Sequence, residues 1–227
     1  MTPEASSKNI LSVGAVEDIV GGYNGPASVV LAGFSSLGPT DDGRIKPDVV
    51  ANGVTLTTPS HDGDNLYFIN NPAITGTSFA APSVTGSIAL LAELHEQLHP
   101  NAMRLLSSTL KGLVIHTADE AGPNPGPDFR HGWGLMNTLA AAELLGADAA
   151  SESRPHLKEV LLEDGNFIEF PVVSDGSQPL RVTICWSDPA GPVDAVLAVD
   201  PMNARLVNDL DLRVINPEHP DAMLLLE

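Results

Sequence analysis

The sequence predicts an α/β fold over about its first 150 residues, followed by an antiparallel, β-rich half. Three observations carry this. Before Gly146, short apolar runs alternate with helical stretches, the pattern of a parallel sheet with helices on its faces. After Gly146 the helical stretches stop and β-prone segments follow one another between Asp-Gly turns. Hydrophobic residues make up 43% of the chain and aromatics only 4%, which suits a core closely packed from small side chains.

Residues 10–16, Ile-Leu-Ser-Val-Gly-Ala-Val, read as a short strand covered on both faces. Residues 29–34 and Val49-Val50 read as two further strands. A long apolar helix is expected over 78–94, a second over 101–116, and a third over 136–145 after the Pro/Gly-rich loop 121–127. Residues 147–155 are small and polar, as in a linker, and divide the chain into 1–150 and 151–227. Beyond them, 157–162, 167–173, 180–186 and 206–215 read as strands of an antiparallel β-sandwich, with turns at Asp164-Gly165 and Asp175-Gly176.

Composition narrows the partners. A formal net charge of −18 argues against nucleic acid and anionic membranes. No apolar run approaches the ~20 residues of a membrane span. Met1-Thr2-Pro3-Glu4 opens without a basic or apolar segment, so no signal peptide is read in these residues. Cys185 is the single cysteine, which rules out an intrachain disulfide; between Ile184 and Trp186 it reads as an ordinary strand thiol.

The stretch richest in chemistry is Gly76-Thr77-Ser78-Phe79-Ala80-Ala81-Pro82. A small-residue turn here delivers a serine to the first turn of a helix. Its hydroxyl is exposed there, and helix-terminal N–H groups favour developing negative charge. This Gly-Thr-Ser-x-Ala-x-Pro pattern resembles the nucleophile segment of the subtilisin-like serine proteases. Lys8-Asn9-Ile10-Leu11-Ser12-Val13-Gly14-Ala15 resembles the strand that follows the family's oxyanion-hole asparagine, and Phe34-Ser35-Ser36-Leu37-Gly38-Pro39 resembles its F-S-S-x-G-P turn. Lys46-Pro47-Asp48-Val49-Val50-Ala51-Asn52-Gly53 follows K-P-D-V-x-A-P-G, with Asn52 where proline is usual, and Gly132-Trp133-Gly134-Leu135-Met136-Asn137 resembles the segment near the end of the catalytic domain. In the second half, Leu180-Arg181-Val182-Thr183-Ile184-Cys185-Trp186 and Leu206-Val207-Asn208-Asp209-Leu210-Asp211-Leu212 resemble the jelly-roll-like β-sandwich appended to the oxidation-resistant alkaline members, with about four or five strands where closure of two sheets usually takes eight.

The resemblance implies the C-terminal part of a subtilisin-like parallel-sheet domain followed by a partial β-sandwich. Its activity would be hydrolysis of protein or peptide substrates through an acyl-enzyme at Ser78. The Ser78 N–H would point into the oxyanion hole, with support from the Thr77 hydroxyl, and no cofactor would be required for the chemistry. Secretion is expected of a complete family member. The family's Asp-Thr/Ser-Gly and His-Gly-Thr-His segments do not occur in these residues. The triad Asp and His and the oxyanion asparagine are therefore expected upstream of Met1, and this chain alone is expected to be inactive, with the missing N-terminal part as a partner.

Asp48 and His61 are not expected to substitute for them; Asp48 matches a structural position and His61 lies in a polar loop. His95, His99 and His116 are expected to be exposed or capping, His131 packed, and His156 and His219 outside the site. Asp209 and Asp211, two apart on a strand-like run, face the same side. With Asn208, and with Asp188 and Asp194 nearby in sequence, they offer oxygen ligands to calcium, as in relatives with the sandwich, or stabilise turns at strand ends. Two other readings stay open: a non-catalytic binding module on the same scaffold, and one piece of a split protease.

Overall fold

The structure, a computed structural model, describes residues 2–177, 179–192, 202–215 and 224–226. Two parallel strands form its centre, β1 (Val13–Val16) and β2 (Val49–Asn52), in the register Val13↔Val49 to Val16↔Asn52. Both are nearly all buried, because each face is covered. On one face Ala15, Val49 and Ala51 meet α1 (Thr77–Leu98) and α2 (Ser107–Thr117) through Ala80, Val84, Val114 and Ala118. On the other, Val16 and Val50 meet Val29 and Ala121. A third cluster, Leu91, Leu113, Ala141 and Leu145, joins α1 and α2 to α3 (Thr138–Ala149).

Segments outside the named strands extend this sheet. Val50 N donates to Gly134 O at 2.9 Å and accepts at its carbonyl from Met136 N at 3.0 Å, so residues 134–136 line β2. Ala32 N donates to Ala15 O at 2.9 Å along β1, making residues 29–34 a single bridge where a strand was expected. Gly132 sits where residues 47–48 pass closest: at φ +62°, an added Cβ would lie 2.2 Å from Pro47 O and 2.4 Å from Asp48 O. Only glycine suits both the left-handed backbone and that contact.

The helices correct the expected bounds. α1 runs on to Leu98, past the expected 94. α2 begins at Ser107 where 101 was expected, since Ala102 N turns back to His99 O at 3.0 Å and Met103 finds no core to enter. α3 starts after Asn137, whose side chain accepts from Ala140 N at 2.9 Å as an N-cap, and runs through Ala149 into the stretch expected to be linker. Buried Asp148 then ties that stretch down, accepting from His156 N, Leu157 N and Arg154 Nε at 2.9–3.0 Å.

In the second half, residues 157–162, 167–173 and 180–186 form no strand; β3 (Leu212–Val214) pairs antiparallel with β4 (Leu224–Leu226). The sandwich expected from the sequence is not formed among the described residues. A β-prone segment becomes a strand only with a partner on a hydrogen-bonding edge, and here Phe167 and Val173 face solvent instead. Residues 180–192 lie along α2 and the start of the chain. Arg181 Nη1 donates to His116 O at 2.8 Å, and Cys185 packs on Gly112. Burial raises the Cys185 thiol above its ordinary range, as suits a structural thiol.

The anchor of this docking is Asp188, buried and 180 residues from its partner Lys8. Lys8 pairs with its carboxylate and also reaches Pro189 O and Arg205 O, both at 2.6 Å. Val207 N and Asn208 N donate to the same carboxylate at 2.9 and 2.8 Å. Burial alone would raise the Asp188 pKa, but the Lys8 hydrogen bond and the two amides hold it down to about 2. A carboxylate depressed on folding contributes stability that is complete above its unfolded pKa of about 3.9 and disappears as pH falls through the folded value. Protection of the Val207 and Asn208 amides from hydrogen exchange is therefore expected to fail between about pH 4 and about pH 2. Lys8→Ala is expected to move that loss to higher pH; protection that persists to pH 2 in both proteins contradicts this account.

Candidate active site

The sheet positions the serine. Gly53, immediately after β2, donates to Val16 O at 3.1 Å and accepts from Gly76 N at 2.8 Å, which pins the start of α1 to the end of the sheet. An added Cβ at Gly53 would lie 2.6 Å from the Ala15 Cβ, so only glycine permits this approach. Gly76, the N-cap, has φ 154° and ψ 157°, a region essentially restricted to glycine. Together they swing Thr77 and Ser78 into the first turn of α1, beyond the edge of the core.

Ser78 is exposed there, and among the described residues neither its hydroxyl nor its backbone N–H has a hydrogen-bond partner. A nucleophile needs a free hydroxyl, and an oxyanion needs a free donor at a helix N-terminus. Thr77 is half-buried and borders a cavity of about 70 Å³ with Ser12, Val13, Gly14, Ser35 and Pro47. A larger space of about 470 Å³ lies between Lys8 and Asn9, Asp41 and Arg44, and Asp188 and Arg205; neither includes Ser78. Behind Ser78, Ala80, Val84 and Leu91 are buried, while Leu90 lies on an open face of α1.

Asp48 is structural. Its carboxylate accepts from Lys46 Nζ at 2.6 Å, Lys111 Nζ at 2.9 Å and Ser12 N at 2.7 Å, a buried knot beneath the sheet. His61 is exposed and pairs with its neighbour Asp62 at 3.4 Å. His131 is packed, its Nδ1 3.6 Å from Asp128 Oδ2. His116 is half-buried, with Thr183 Oγ1 3.0 Å from Nδ1, and burial pushes its pKa down. His95 differs from expectation: it is buried, one helical turn beyond Leu91, which packs into the cluster joining α1 to α2 and α3. His156 is exposed; His219 and Asp194 lie outside the described residues.

Asn208, Asp209 and Asp211 are exposed, and Arg213 Nη2 lies 3.3 Å from Asp211 Oδ2. Among the described residues no group of three His, Cys, Asp or Glu side chains is disposed to hold a metal. Asp188 has both oxygens engaged by Lys8 and backbone amides. No helix among the described residues is long and apolar enough to cross a membrane. The Lys8–Asp188 pairing escaped sequence reasoning, since nothing local links two residues 180 apart.

Comparisons with known proteins bear on this geometry. The model of the subtilase family, Peptidase_S8, matches residues 2–134. The chain is 35% identical over 126 residues to the subtilisin-like protease SBT3.4 of Arabidopsis thaliana, covering 52% of this chain and 16% of the plant protein. It is 26% identical over 250 residues to the serine protease/ABC transporter B family protein tagD of Dictyostelium discoideum, covering 83% of this chain and 13% of that one. Among solved structures, fervidolysin from Fervidobacterium pennivorans, a keratinolytic enzyme related to subtilisin, aligns with a TM-score of 0.44 at 31% identity over 62% of this chain and 20% of its own. The chain thus spans less than a fifth of the length of these curated relatives.

Proposed function

The chain belongs to the subtilase family, and from that membership we propose that it is the serine-bearing part of a subtilisin-like serine endopeptidase acting on protein or peptide substrates. The observation that carries the proposal is the exposed, unpartnered Ser78 at the N-terminus of α1. Its Oγ attacks the scissile carbonyl, and its proton passes to an imidazole that later returns it to the leaving amine. The Ser78 N–H faces the developing oxyanion, with Thr77 beside it.

The imidazole, the carboxylate that orients it and the remaining oxyanion donor come from a segment outside these 227 residues. Among the described residues no histidine is placed for the role: His61 is held in its own loop, His95 lies at the far end of α1 from Ser78, and His116 and His131 are packed elsewhere. The open face of α1 around Leu90 supports this reading, since it offers apolar area for the completing segment to cover. By itself the chain is inactive, and the complete protein is a secreted one.

The test joins the chain to a family segment carrying Asp-Thr-Gly and His-Gly-Thr-His, and challenges it with casein and a serine-directed phosphonate. The expected result is casein cleavage with the phosphonate attached at Ser78, and neither with the chain alone. Attachment elsewhere, or no cleavage in the completed protein, rejects the proposal in favour of a non-catalytic module. The calcium part of the proposal, at Asn208, Asp209 and Asp211, rests on the resemblance alone; melting the completed protein with calcium and with EGTA decides it.

A further inference from the structure

The end of α1 opposite Ser78 carries chemistry that the protease reading leaves unused. Its last turn reads His95-Glu96-Gln97-Leu98-His99, a His-Glu-x-x-His spacing that sets two imidazoles on one helix face. The fold keeps that register. His99 N donates to His95 O at 2.9 Å, so the helical winding continues through the pair. The ring centres lie 4.9 Å apart, with planes tilted by 50°. An ion held by one nitrogen of each ring at about 2.0–2.1 Å, with a near-tetrahedral angle between them, requires ring centres about 5 Å apart.

Both rings are free for such a ligand. Among the described residues neither imidazole gives or takes a hydrogen bond. His95 is only 3% exposed and His99 half-buried, so packing holds the pair in place before any ion arrives. The C-terminal carbonyls of α1 carry partial negative charge, which suits a cation at this helix end. Of the charged groups near His95, Glu96 and Glu159 are anionic and Arg154 is cationic, its guanidinium paired with Asp148 at 3.0 Å.

We propose that His95 and His99 form a two-imidazole site for a divalent transition ion that prefers nitrogen ligands, of the Zn²⁺, Ni²⁺ or Cu²⁺ class. Because no third side chain completes the set among the described residues, water fills the other positions. The site is a clip and not a catalytic centre. Glu96, which a His-Glu-x-x-His hydrolase uses as its base, is engaged by Arg104 Nε at 2.8 Å. An ion bridging the last turn of α1 would hold the helix end from which the chain leads to α2.

The test is calorimetric titration of Zn²⁺ into the full chain, with His99→Ala and with His61→Ala as a control at an exposed histidine. One equivalent is expected to bind the natural chain and His61→Ala alike, and at least tenfold more weakly to His99→Ala. Equal affinity in the natural chain and His99→Ala overturns the proposal. If circular dichroism shows His99→Ala to be unfolded, electron paramagnetic resonance of one equivalent of Cu²⁺ on the natural chain and on His95→Gln decides instead. A two-nitrogen pattern lost in His95→Gln supports the site; a pattern that survives there, or is absent from the natural chain, overturns it.

Discussion

Ser78→Ala is expected to lower the turnover of the completed protease about 10⁶-fold while leaving its folding unchanged. That magnitude is subtilisin's own, measured on loss of its serine. At about 1.4 kcal/mol per decade it corresponds to roughly 8 kcal/mol of transition-state stabilisation. The fold has no reason to respond. The Ser78 hydroxyl makes no hydrogen bond to a described residue, and alanine is the better helix former in the first turn of α1. Backbone N–H donors survive the change, so a residual rate above that of water remains. Turnover of a peptide substrate and the unfolding midpoint, measured side by side, check both halves of the expectation. A variant that keeps even a hundredth of the natural turnover removes Ser78 as nucleophile. A variant with a collapsed midpoint makes it structural.

The candidate site is legible in the sequence where its requirements are local. Gly76 and Ser78 are fixed by the backbone geometry of one turn, and the small residues after them are what a buried helix against a sheet demands. β1 and β2 were legible because a strand buried on both faces is apolar throughout, as Val13-Gly14-Ala15-Val16 is. The same logic misled in the second half. Leu157, Phe167 and Leu180 begin stretches that read as strands, but strand formation is decided by a partner edge that no single stretch contains. Long-range polar contacts left no trace either. Lys8 and Asp188 are 180 residues apart, and the sequence reads Lys8 only as the start of a strand motif and Asp188 only as an oxygen donor to calcium. His95 reads as a solvated helix residue until the packing of α3 on α1 is known.

Asp48 shows how much one of these unread contacts matters. Lys46 is only 2% exposed, and its ammonium lies 2.6 Å from Asp48 Oδ2, with Lys111 on the other oxygen at 2.9 Å. Burial pushes the Lys46 pKa below the ordinary lysine range even with Asp48 beside it. Asp48→Asn keeps the shape and removes the charge, leaving two ammonium groups without their counter-ion. Removing one partner of a buried pair costs about 3–5 kcal/mol, a large part of the ~5–15 kcal/mol that holds a domain together. The expected result is a lower urea midpoint for Asp48→Asn, read through Trp133, whose amide donates to Asp48 O at 2.8 Å. Asp211→Asn, whose partner Arg213 is exposed, is expected to leave the midpoint in place. Adding Lys46→Met to Asp48→Asn is expected to recover part of the loss, because an apolar side chain of similar length no longer has a charge to desolvate. If Asp48→Asn unfolds at the natural midpoint, the buried knot contributes nothing. The pairing of Lys46 and Lys111 with one carboxylate would then be a consequence of the sheet and not one of its supports.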